Sequence, residues 1–181
     1  VKFLNPNPIM TKKILLLICV GVLFCFTSQA QNKKAAKYNN KLIDIQYKLV
    51  PDVVNFFKAI EGGDLVELKA KRDVLMKDFD KAIAKVSKMK PFEGDDELRK
   101  AALDWFKLYE SSLNDEYNLI LNIATKPKDK RTENDNIQLK VLADDLIAQE
   151  EAIDERFEAA QLAFSKRHNL ELKKYAIGQT K

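Results

Sequence analysis

Apolar residues recur along this chain at steps of three and four, the period of one face of an α-helix, from Tyr38 to Phe164. The first stripe is Tyr38, Leu42, Ile45, Leu49, Val53, Phe56 and Ile60. Pro51 lies inside it. A proline within a helix removes a hydrogen bond and clashes with the preceding turn, so the spacing predicts a bent helix with its kink near residues 47–50. Glu61-Gly62-Gly63-Asp64 stops it. Asp64, with Glu67 three residues on, opens a second helix as a capping box would.

The second stripe is Leu65, Leu68, Arg72, Leu75, Phe79, Ala82, Val86 and Met89, closed by Lys85, Lys88 and Lys90. Pro91-Phe92-Glu93-Gly94 breaks it, and Asp95-Asp96-Glu97 puts acids at the favoured end of a third helix. That helix carries Leu98, Ala102, Trp105 with Phe106, Tyr109, Leu113, Tyr117, Ile120 and Ala124. Thr125–Arg131 reads as a basic solvated loop around Pro127. Thr132 with Asp135 caps a fourth helix whose stripe is Leu139, Leu142, Leu146, Gln149, Ile153, Phe157, Ala160 and Phe164. Neither Gly nor Pro occurs between Lys128 and Ile177, so this helix is expected to be the longest, its last turns from about His168 overhanging or fraying.

Strict apolar/polar alternation is missing, so no sheet is expected. The fold class is all-α: an antiparallel up-down-up-down four-helix bundle with a kinked first helix and a long fourth helix. The competing arrangements are a three-helix core with an extended fourth arm and a dimer that pairs the long helices. No constant-period repeat points to a solenoid.

The beginning of the chain has another character. Met10 is the expected true start. Lys12 and Lys13 precede the thirteen-residue apolar run Ile14–Phe26, and small residues follow at Ser28 and Ala30. This is the layout of a secretory signal peptide over residues 1–30, cut after Ala30. The run is short of the about 20 apolar residues a membrane span needs, which weighs against an uncleaved anchor. The expected domain is residues 31–181. Cys19 and Cys25 both lie in the leader, and bulky Leu23-Phe24 argues against lipidation of Cys25. The mature chain then holds neither disulfide nor thiol chemistry.

Composition narrows the function class. With 181 residues, 5 Gly and 5 Pro, the chain has room for one domain and little turn material. The net charge of +4 owes most to the leader, where Lys2, Lys12 and Lys13 meet no acid; taking those three from the 31 Lys+Arg leaves 28 bases against 27 acids. A nearly neutral remainder gives no electrostatic case for nucleic acid or anionic lipid. His168 is the one histidine, and Ser165 stands three residues before it, so the Glu-x-x-His pairs of a di-iron bundle are missing. Met76 and Met89 read as core filler and not as haem ligands. The acids Asp144, Asp145, Glu150, Glu151, Asp154, Glu155 and Glu158 read as a solvated helix face. There is no Gly-x-Ser-x-Gly, no Cys–His pair and no glycine-rich phosphate loop. Catalytic residues, cofactors and metal ligands are therefore all expected to be none.

Arg72 is the charge in an otherwise apolar stripe. Reflecting the helices about their links brings Ser112, Glu116 and Asp145 to its level. A buried Arg72–Glu116 or Arg72–Asp145 pair that fixes register is one reading; Arg72 reaching solvent along a helix seam is the other.

The opening Tyr38-Asn39-Asn40-Lys41-Leu42-Ile43, with Gln46 two turns on, resembles the start of an uncharacterised family of bacterial surface or secreted helical proteins. Asn39, Ile43 and Gln46 fall on one flank of the helix. The resemblance implies an exported bundle and transfers no catalytic residue.

Two functions remain. The first is an exported, non-enzymatic bundle (periplasmic, outer-membrane-associated or secreted) that binds a protein or envelope component, with Phe57, Phe92 and Phe106 as candidate exposed aromatics. The second is a small-molecule carrier with a pocket near the Pro51 kink, lined by Tyr47, Phe56, Trp105 and Tyr109.

Overall fold

The computed structural model describes residues 23–27, 33–62 and 64–175. Met10, the Ala30 cut and the Gly178–Lys181 tail lie outside them. The described residues are helical apart from one short ribbon, and the helices pack together around a shared apolar core. The elements are β1 (Leu23–Thr27), α1 (Lys33–Tyr47), α2 (Val50–Gly62), α3 (Leu65–Ser87), α4 (Glu97–Asn114), α5 (Glu116–Ala124), α6 (Glu133–Arg167) and β2 (Glu171–Tyr175).

The bend falls where Pro51 placed it, but as an interruption. Lys48 and Leu49 form a turn, and α2 restarts at Val50. Pro51 thereby sits in a first turn, where its missing N–H costs nothing. The third expected helix is also split. Asp115 separates α4 from α5 in a stretch rich in Ser and Asn, side chains that compete with the helix for backbone hydrogen bonds. Asn118 Nδ2 donates to the Asn114 carbonyl at 2.7 Å there. The fourth helix is the longest, at 35 residues or about 52 Å.

The helix ends follow the sequence signals. Asp64 Oδ1 accepts from the N–H groups of Val66 and Glu67, at 2.8 and 3.2 Å. Thr132 and Asp135 form a reciprocal capping box, strengthened by Lys126 Nζ at 2.6 Å from Asp135. The link before α4 is a two-residue turn: Phe92 and Asp95 exchange backbone hydrogen bonds of 2.9 and 2.8 Å, with Glu93 at φ 50° and Gly94 at φ 91°. Positive φ at both central residues is the type I′ signature, and it explains the glycine. The end of α6 does not fray. Asn169 takes φ 51°, and the Leu170 N–H returns to the Ser165 carbonyl at 2.9 Å, a Schellman-type stop.

The expectation of no strand is corrected in one place. β1 pairs antiparallel with β2, Leu23 opposite Tyr175 and Thr27 opposite Glu171. Aromatic residues suit a strand, and a short apolar run cannot be told from a helix segment by periodicity alone.

Three aromatic groups fill the core. Phe56, Phe57 and Tyr117 meet edge to face at 5.5–6.4 Å. Phe79 gathers Trp105, Phe106 and Tyr109 within 6.5 Å. Tyr38, Phe92, Phe164 and His168 close the end where α3 turns into α4. The proposed exposed aromatics are thus corrected: Phe57, Phe92 and Phe106 are all buried. Edge-to-face rings gain stabilisation beyond their area, which is why residues beside the stripes turn inward.

Candidate functional site

The residues singled out in the sequence do not come together as expected. Arg72 Nη2 lies 3.7 Å from Asp73, its own neighbour, while its Nε is buried without a partner. Asp145 is exposed, and among the described residues no ion pair joins Arg72 to Glu116 or Asp145. The pocket residues also divide. Tyr47 stays 40% exposed, Phe56 belongs to the Tyr117 aromatic group, and Trp105 stacks with Tyr109 at 4.4 Å in the Phe79 group. They line no common hollow at the Pro51 bend.

Two other regions carry the polar chemistry. The first is a layer inside the bundle, beside the Asp115 break. Glu150, on α6, is 1% exposed, and neither carboxylate oxygen has a hydrogen-bond partner. The Tyr117 hydroxyl, Ser112 Oγ and Glu116 Oε2 are likewise buried and unpartnered. One turn along α6, half-buried Asp154 accepts from Trp105 Nε1 at 2.7 Å and from the Tyr109 hydroxyl at 3.4 Å. Burial, with the charges of Asp154 and Glu116, pushes the Glu150 carboxyl up to about 8. Burial also raises Asp154, to about 6, against the lowering effect of its two hydrogen bonds. The Tyr109 and Tyr117 phenols rise as well, chiefly through burial and then through Glu150. At neutral pH Glu150 is therefore held mostly protonated, a neutral acid among tyrosines.

Glu150 was hidden in the acidic run of α6. The buried positions of that helix are Ala143, Leu146, Glu150, Ile153, Phe157, Gln161 and Phe164, a repeat of three and four that passes through Glu150. Gln149, placed on the stripe by polarity, is exposed. Gln161, on the same seam, donates through Nε2 to Asn39 Oδ1 at 3.2 Å. The Asn39–Ile43–Gln46 flank is buried throughout, so the pattern behind the family resemblance marks the inner side of α1.

The second region is the α3–α4 turn. Asp95 accepts from the Glu97 N–H at 3.1 Å and Arg167 Nε at 2.7 Å, and His168 Nε2 lies 3.3 Å away. Burial works to raise the Asp95 carboxyl, but these hydrogen bonds together hold it below its ordinary value. The Tyr38 hydroxyl donates to the Lys90 carbonyl at 3.0 Å. Outside this hub lies an open groove of about 360 Å³. Lys41, Lys88 and Lys90 rim it, Glu93 is its one acid, and Tyr38, Met89 and Phe92 supply apolar wall.

Among the described residues no group of three or more His, Cys, Asp or Glu is placed to hold a metal ion, and no helix is long and apolar enough to cross a membrane. Compared with protein-family models, curated proteins and solved structures, the chain matches none of them.

Proposed function

We propose that this chain is an exported, non-enzymatic helical bundle that binds an acidic segment of another protein or envelope component through the groove between α1 and the α3–α4 turn. The leader-like residues 1–30 support export to the periplasm, the outer membrane or beyond. An up-down-up-down course is supported by contacts across the link: Phe79 on α3 stacks on Tyr109 of α4 at 6.3 Å, as a hairpin turning near residues 92–95 requires.

The groove is the observation that carries the reading. Three lysines converge over aromatic wall, against one acid, on a chain whose overall charge is nearly balanced. Its frame is rigid: the type I′ turn, the Tyr38–Lys90 hydrogen bond and the Asp95 hub fix the lysine-bearing segment before any partner arrives. Preorganised cationic rims favour carboxylate-rich partners and speed their encounter.

The test is retention on immobilised poly-glutamate and on envelope fractions at low salt. Wild type should bind and elute as salt rises. Lys41→Glu with Lys88→Glu and Lys90→Glu should abolish retention while the thermal midpoint stays put. Equal retention of the triple variant contradicts the assignment.

A further inference from the structure

The layer around Glu150 is independent of the surface groove, and it has the chemistry of a second site. We propose that Glu150, Glu116, Asp154, Tyr117 and Ser112 form an internal site for a small organic cation bearing a primary ammonium group. The argument begins with what is unmet. Both Glu150 oxygens, Glu116 Oε2, the Tyr117 hydroxyl and Ser112 Oγ are buried without partners. Native cores satisfy nearly all such groups, and a group left over calls for a bound partner.

The kind of partner follows from the imbalance. Three carboxylates face two hydroxyls. Among the described residues no lysine, arginine or histidine is ion-paired with Glu116, Glu150 or Asp154. The layer is rich in acceptors and poor in donors. A primary ammonium offers three donors and no acceptor. Tyr109 and Tyr117 bring ring faces to the same level, and Trp105 packs on Tyr109, the setting in which a cation gains from aromatic contact. A divalent metal is a poorer fit, because the carboxylates do not converge on one point. Half-buried Asp154 links Glu150 to the surface and gives the cation a stepping point inwards.

The groups facing Glu150 set the pH behaviour. They are Tyr109 from α4, Glu116 and Tyr117 from α5, and Asp154 on α6 itself. The α2 residues against Tyr117 are Phe56 and Phe57, which carry no charge. An ammonium entering the layer takes the place of the Glu150 proton. Binding therefore releases one proton and strengthens with pH until Glu150 is fully ionised.

The full chain should be titrated with butylammonium chloride, with tetramethylammonium chloride and sodium chloride as controls. The one tryptophan, Trp105, bonded to Asp154, is the reporter. The expected result is a saturable change in its emission with butylammonium only. The affinity should fall roughly tenfold per pH unit from pH 7.5 down to 6. Glu150→Gln, a neutral isostere that keeps the packing, should lose the response. Tyr117→Phe should weaken it several-fold at unchanged thermal midpoint. No saturable change in wild type, equal affinity in Glu150→Gln, or an affinity independent of pH overturns the proposal.

Discussion

Asp95 and Glu150 are both acids withdrawn from water, and their surroundings are opposite. Asp95 accepts from a backbone N–H and an arginine, with a histidine beside it, and its carboxyl is held down. Glu150 accepts from nothing, its acidic neighbours repel its charge, and its carboxyl is pushed up to about 8. The first arrangement ties the α3–α4 turn to the end of α6 and stabilises the fold. The second costs stability whenever Glu150 ionises. A helical bundle this apolar could place leucine at position 150, so the contrast separates polar groups that build the fold from those that await something else.

The contrast is broken most forcefully at Glu150. A carboxyl raised in the folded state binds more protons than the unfolded chain between the unfolded and folded values. Its stabilising contribution is full below about 4.5 and is lost as pH climbs towards about 8. Urea unfolding at pH 5, 7 and 9 should show wild type losing about 3–5 kcal/mol across that window from this residue. Glu150→Gln should remove most of that slope. An equal slope in the variant breaks the account.

At the hub the sign reverses. Asp95→Ala removes the acceptor for Glu97 N–H and Arg167, at a cost of about 2–3 kcal/mol by urea unfolding at pH 7. Because the Asp95 carboxyl is lowered, its contribution is present above the ordinary aspartate value and disappears as pH falls through the folded one. Wild type and Asp95→Ala should therefore converge in stability below about pH 3. A difference that persists there would point to packing and not to charge.

Smaller effects sharpen the framework around the two acids. Gly94→Ala forces a side chain into φ 91° and should cost about 1–2 kcal/mol, lowering the thermal midpoint and loosening the groove-bearing turn. Thr132→Ala removes one half of the α6 capping box and should cost about 1 kcal/mol.

Much of this architecture was legible from spacing and local chemistry. The stripes gave the helices. Pro51 marked the break between α1 and α2, and Asp64, Thr132 and Asp135 marked the starts that their side chains cap. The site was not legible in the same way. An acid on a charge-rich helix looks like solvated surface unless its place in the three-and-four repeat is weighed above its polarity, and Glu150 meets that repeat where Gln149 does not. Arg72 failed for the converse reason. Its stripe position is inward, but a long side chain can turn along the helix, and it meets Asp73. The Asp115 break had a signal in Ser111, Ser112 and Asn114, which the continuous apolar stripe outweighed.

The central claim is that Glu150 is a buried, mostly neutral acid at physiological pH. Carbon-13 NMR of the Glu150 side-chain carboxyl, followed from pH 4 to 10 and assigned by comparison with Glu150→Gln, reads this directly. The account predicts a titration centred near about 8, well apart from the exposed glutamates. A midpoint near the ordinary glutamate value of about 4.3 would contradict it.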